Sequence, residues 1–257
     1  MILNRSPIQF LLSLLAVLIC GMEGFTQQSV VLRFPPTLMQ QRVKHHSPFA
    51  LSAQPNFPDV ERPDPSVLLS SQTDSTQRIG VGLIGLGILG GTYLMVEILS
   101  SLQGLLPTGF FDTIIGFTVP IPLGLVFTLI GATHFFYKEE YAAIVPPNGS
   151  WGGLWDIPAP GAKQLGVSNE EFHVLWTGVA EVLGGILLVL GGLNAVPVGI
   201  PAFLLLVLTL AVTPANVYMF THDAQLSFSP PLPYPSGHIF RAVLQCLILS
   251  LLWILAF

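Results

Sequence analysis

Charge is what this sequence has least of. Only 9% of its 257 residues are Asp, Glu, Lys or Arg, against roughly a quarter in a soluble domain. After Arg78 the only Lys and Arg residues are Lys138, Lys163 and Arg241. A nucleic-acid surface, which needs clustered bases to neutralise phosphates, is excluded. Cysteine is nearly as scarce. Cys20 and Cys246 both lie in apolar runs, so there is no disulfide framework. His134, His173, His222 and His238 are widely spaced with no Cys beside them, which gives no metal-ligand pattern.

Apolar sequence fills the space that charge leaves, and mean hydropathy is +0.70. Five long apolar stretches cover residues 79–105, 114–137, 172–192, 198–220 and 238–256. Each holds about 20 residues or more, enough to cross a hydrocarbon core as a helix rising 1.5 Å per residue. Helices buried in a soluble core would need polar faces elsewhere to cover them, and the chain has too few charges for that. The expected class is an all-α, multi-pass membrane protein embedded in a lipid bilayer.

The N-terminal third differs. Residues 1–24 carry a single apolar run, 8–20, too short for a span and suited to a signal-peptide core. Residues 25–58 contain no Asp or Glu but hold Arg33, Arg42, Lys44 and scattered Ser, Thr and Gln. That is the composition of a transit peptide. Acids return at Asp59, Glu61 and Asp64 in a Pro/Ser-rich segment, residues 59–78, expected to be a disordered linker. A signal core followed by a transit-like stretch resembles the bipartite presequence of algae with secondary plastids. Phe25 after Gly24 matches the aromatic residue at the cleavage point of such presequences. The expected location is a plastid (chloroplast) membrane; the alternative is the secretory pathway or plasma membrane.

Five crossings put the loops alternately on two sides. Side A receives the segment ending at Arg78, the loop 138–171 and the Pro-rich loop 221–237. Side B receives 106–113, the turn 193–197 and the C-terminus. Arg78, Lys138, Lys163 and Arg241 all fall on side A, which places that side in the cytosol or stroma.

Gly85-Leu86-Gly87-Ile88-Leu89-Gly90 has the spacing of a dinucleotide-binding turn. It lacks the context, because no βαβ pattern follows and no acid lies about 20 residues on in a second strand. Helix contact through Gly87-x-x-x-Gly91 is the structural expectation.

Polar groups inside spans are costly and tend to face a bundle interior or a cavity. Here they gather in one half of the membrane. His134, Asn216 with Tyr218 nearby, and Arg241 each lie about one turn from the side A end of a span. Gln245 follows Arg241 at i+4 on the same face. Glu181 lies about 14 Å below side A, with His173 and Thr177 above it on one stripe. The expectation is one internal polar pocket, with Glu181 deepest and Arg241 or His134 as its charge partner. No nucleophile–base pair and no haem or metal pattern is present, so no catalytic residue is assigned. Separate interhelical hydrogen bonds and interfacial snorkelling account for the same residues in the plainer alternative.

These residues sit in phrases that resemble the DoxX-like family of small membrane proteins over residues 119–257. They are Gly131-Ala132-Thr133-His134-Phe135; Tyr141-Ala142-Ala143-Ile144-Val145-Pro146-Pro147; Gly178-Val179-Ala180-Glu181-Val182-Leu183-Gly184-Gly185; Pro214-Ala215-Asn216-Val217-Tyr218-Met219; and Arg241 with Gln245. The resemblance implies a four-helix membrane bundle over residues 114–257, with His134, Glu181, Asn216 and Arg241 as family-typical polar positions. This chain departs from the pattern by an extra Gly-rich span, 79–105, and an enlarged loop, 147–171, containing Trp151 and Trp155. The family's name-giving member is a subunit of a thiosulfate–quinone oxidoreductase, which implies membrane redox chemistry with a quinone headgroup in the pocket. The other class is an accessory or scaffold subunit, partnered by a redox or photosynthetic membrane complex. The absence of a protein-borne redox centre favours the accessory role.

Overall fold

The computed structural model describes residues 60–257, so the signal and transit-like segments lie outside the described residues. Five helices are long and apolar enough to cross a membrane, as the apolar runs require. They are α1 (Asp74–Leu105), α2 (Ile114–Phe136), α3 (Asn169–Gly192), α4 (Gly199–His222) and α5 (Ser236–Ala256). No strand occurs among the described residues.

Local chemistry sets the helix ends. The Thr73 hydroxyl accepts from the Thr76 amide at the start of α1. Ser168 and Glu171 form a reciprocal capping box on α3, satisfying two amides that the helix leaves open. Pro120 lies where α2 passes from a π-helical turn, Ile114–Thr118, into regular α-helix. Its missing N–H removes a donor at a point where the helical bond pattern already changes. Asp223, left-handed at φ 52°, ends α4.

The helices pack in the order α2–α3–α4–α5, and α1 lies against α5. The α2–α3 contact is the most extensive, and glycine is the reason. A Cβ on Gly185 would lie 2.5 Å from the Gly124 carbonyl oxygen, and one on Gly131 would lie 2.8 Å from the Gly178 carbonyl oxygen. Only glycine lets two backbones come this close, and in lipid such close packing drives helix association. The Gly87-x-x-x-Gly91 expectation is corrected. Gly91 faces the Cys246 thiol, whereas nothing lies within 4 Å of a Cβ built on Gly82, Gly85, Gly87 or Gly90. The small-residue contact therefore belongs to α2 and α3, while much of α1, including Ile79, Leu83, Leu86 and Leu94, is exposed.

The segment expected as a disordered linker is structured from residue 60 onward. It carries two short 3-10 turns, Pro65–Val67 and Leu69–Ser71, and α1 starts at Asp74, ahead of its apolar run. Arg62 pairs with Asp223 at 2.7 Å, Leu68 is buried, and Leu69 lies against Gly80. A composition poor in apolar residues hides these few anchors, which act through partners far along the chain.

The enlarged loop is a packed cap. Trp151 is only 3% exposed, and its indole Nε1 donates to the Thr221 hydroxyl at 3.0 Å. Its ring meets Trp155, Tyr218 and His222. Trp151 itself is left-handed (φ 56°, ψ 44°), a conformation costing about 1–3 kcal/mol that persists where surroundings over-determine it. Those surroundings are Thr221 on one side and, on the other, the Gly152 carbonyl, which accepts from Arg78 Nε at 3.0 Å. Trp151→Phe is expected to keep the ring in place and lose about 0.5–1.5 kcal/mol with the hydrogen bond. Trp151→Ala should lose about 3–5 kcal/mol and open the loop to protease. Thermal melts and limited proteolysis in detergent measure both. A loop equally resistant in Trp151→Ala would show that the indole does not anchor it.

Asn148 is exposed and begins the acceptor sequon Asn148-Gly149-Ser150. With its loop on the basic side, it is expected to be unmodified when the chain is expressed in eukaryotic cells. A glycosidase-sensitive mobility shift that vanishes in Asn148→Gln would reverse the assigned orientation.

Candidate functional site: buried polar clusters

Two of the glycines that bring α2 and α3 together also bring two polar side chains face to face. His134 Nδ1 lies 3.6 Å from Glu181 Oε2, and both side chains are about 8% exposed. These two atoms have no hydrogen-bond partner among the described residues. Gly178 makes the approach possible, since a Cβ there would lie 2.8 Å from the His134 Cβ. Of the two expected partners for Glu181, the structure places His134 beside it.

Tyr141 completes this cluster. Its ring meets the His134 imidazole edge-on, centroids 4.0 Å apart, and its hydroxyl is 2.8 Å from the Thr133 hydroxyl. Burial pushes its phenol above the ordinary value, the Thr133 bond opposes this, and the charges of Glu181 and Arg241 add smaller opposing effects. Tyr141 thus lies within electrostatic reach of both Glu181 and Arg241. No periodicity reveals it, because it follows α2 in the short helix Lys138–Ala142 rather than lying on a span.

Asn216 and Gln245 form a second cluster between α4 and α5. Asn216 Nδ2 donates to Gln245 Oε1 at 3.0 Å, and Gln245 Nε2 donates to the Thr213 hydroxyl at 2.5 Å. Thr213 in turn donates to the Thr209 carbonyl at 2.9 Å. Pro214 sits within this stretch and lacks an N–H, so the polar side chains gather where the backbone ladder is incomplete.

The remaining expected residues go elsewhere. The Thr177 hydroxyl donates to its own helix, to the His173 and Val174 carbonyls. His173 accepts from Trp176 Nε1 at 3.1 Å and lies edge-on to Trp155 and Phe172. Tyr218 stacks on His222 with centroids 4.1 Å apart, under the Trp151 cap. Arg241 donates to the Met219 sulfur. The eight residues lie toward the side A ends of α2–α5, but they divide into a His134–Glu181 pair, an Asn216–Gln245 pair, His173 and Tyr218 under the aromatic cap, Thr177 bonded to its own helix, and Arg241 bonded to Met219. No group of three or more His, Cys, Asp or Glu side chains able to hold a metal occurs among the described residues. No family model, curated protein or solved structure matches the chain.

Proposed function

We propose that this chain is a non-catalytic accessory or scaffold subunit of a membrane assembly. On this reading α2–α5 form a DoxX-like four-helix unit, and α1 is an added helix that presents an apolar surface to lipid or to a partner. One observation carries the reading: the buried polar side chains are spent on joining helices. His134 and Glu181 link α2 to α3, Asn216 and Gln245 link α4 to α5, and Trp151 ties the loop to α4. The His134–Glu181 pair lies at a close backbone approach of α2 and α3, where glycines at 131 and 178 leave no space for a Cβ. That setting suits a clamp between helices better than an open substrate site. The partner we propose is a redox or photosynthetic complex of a plastid membrane, on the strength of the transit-like composition of residues 25–58.

Purification in mild detergent tests the role. A stoichiometric partner protein, with no quinone recovered at stoichiometry, is the expected result. A bound quinone lost on His134→Ala would replace the scaffold reading with the quinone-linked one, in which the His134 and Glu181 atoms without protein partners would face the headgroup. The location is tested separately by a fluorescent fusion to residues 1–58, for which plastid labelling is expected. Labelling of the secretory route would remove the plastid partner.

A further inference from the structure

A second polar feature lies at the side A ends of α4 and α5. The end of α4, the Pro-rich loop after it and the first two turns of α5 enclose a cleft of about 350 Å³ lined by Leu226, Leu232, His238, Phe240, Arg241 and Leu244. Arg241 has no carboxylate within 4 Å among the described residues, and its one hydrogen bond goes to the Met219 sulfur. Asp223 pairs with Arg62 at 2.7 Å, and Glu181 lies beside His134 at 3.6 Å. His238 is 7% exposed, and neither ring nitrogen has a hydrogen-bond partner among the described residues. Its ring packs against the stacked rings of Phe220 and Tyr234. An unpaired guanidinium and an unsatisfied buried imidazole on one wall are costly unless something bonds them.

The position identifies what that is. Arg241 lies about 8 Å into α5, the depth of headgroups and glycerol in a bilayer. Beside it Phe240 is 70% exposed, and one turn deeper Leu244 is 45% exposed. We propose that this cleft binds an anionic amphiphile, with its acid group on Arg241 and His238 and its chain lying over Phe240 and Leu244. The shared chemistry is one phosphate or carboxylate joined to one or more acyl chains. Arg supplies the fork of donors that such an oxyanion accepts, and His238 supplies the further donor that a neutral aliphatic site lacks. The inference rests on the membrane-spanning fold alone and holds whether or not the chain is a scaffold.

Native mass spectrometry of the full chain in detergent tests it, with phosphatidylglycerol, phosphatidylcholine and oleate added in separate and competing series. The wild-type protein is expected to retain one anionic adduct with at least about tenfold preference over phosphatidylcholine, the worth of one charge-assisted bond pair. Dominant retention of phosphatidylglycerol identifies a phospholipid, and dominant retention of oleate a free fatty acid; either supports the site. Arg241→Gln should lower retention about tenfold. Ser229→Trp, which fills the rim of the cleft and removes no charge, should lower it similarly, and it serves as the test if Arg241→Gln does not fold. Equal retention of zwitterionic and anionic lipid, no adduct at all, or wild-type retention in Ser229→Trp would overturn the proposal.

Discussion

Gly185→Val is expected to pull α2 and α3 apart and to lower the melting temperature in detergent. A Cβ at Gly185 meets the Gly124 carbonyl oxygen at 2.5 Å and the Thr128 amide nitrogen at 2.7 Å. Those are backbone atoms of a facing helix, so no rotamer change relieves the clash and the helices must separate. Overpacking of this kind costs about 1–3 kcal/mol where side chains can yield, and here the upper end applies because they cannot. Gly87→Val serves as the comparison. It has open space around it, so it should lose nothing by clash and regain some helix propensity. A disulfide trapped between cysteines introduced on α2 and α3 reads the separation directly. If Gly185→Val and Gly87→Val melt together, the close α2–α3 approach is not a determinant of stability.

The second large effect concerns the buried pair. Glu181→Ala leaves His134 Nδ1 facing apolar surroundings, and His134→Ala leaves the Glu181 carboxyl likewise; each should cost about 1–3 kcal/mol. In a double-mutant cycle the two losses should overlap strongly, because each substitution already removes the other's partner. Glu181→Ala with Asn216→Ala should add within about 0.5 kcal/mol, as the two belong to different clusters. Glu181 with Arg241 should couple weakly, and Tyr141→Phe should leave most of the His134–Glu181 coupling intact. Melting curves for the single and double variants decide this. Equal coupling among all four of His134, Glu181, Asn216 and Arg241 would restore one shared pocket and weaken the clamp on which the scaffold reading rests. Strict additivity throughout would remove the clamp as well.

The five spans are legible in the sequence because membrane insertion is a local test. About twenty apolar residues with internally bonded backbone satisfy it without reference to the rest of the chain. Helix starts at Thr73 and Ser168 obey rules just as local. The side A grouping of polar residues was equally readable, since depth along a span follows from residue count. Pairing was not. Glu181 had two candidate partners at similar depth, and only the rotation of α2 against α3 about their glycines brings His134 to it. The glycines themselves misled in the same way: composition marks those of α1 and those of α3 alike, while contact depends on which face meets a neighbour. Sequence marks Tyr141 only within a family-like phrase and Trp151 only as part of an enlarged loop, and gives no sign of their contacts with His134 and Thr221, because those partners lie in other helices. Sequence by itself determined that this protein is helical, carries five helices long and apolar enough to cross a membrane and groups its polar residues toward one end of them, because each of those depends on local hydropathy and order. Which polar groups meet, and that the long loop is a cap and the linker an anchored strap, the tertiary structure alone decided, because helix rotation and long-range packing are properties of the whole chain.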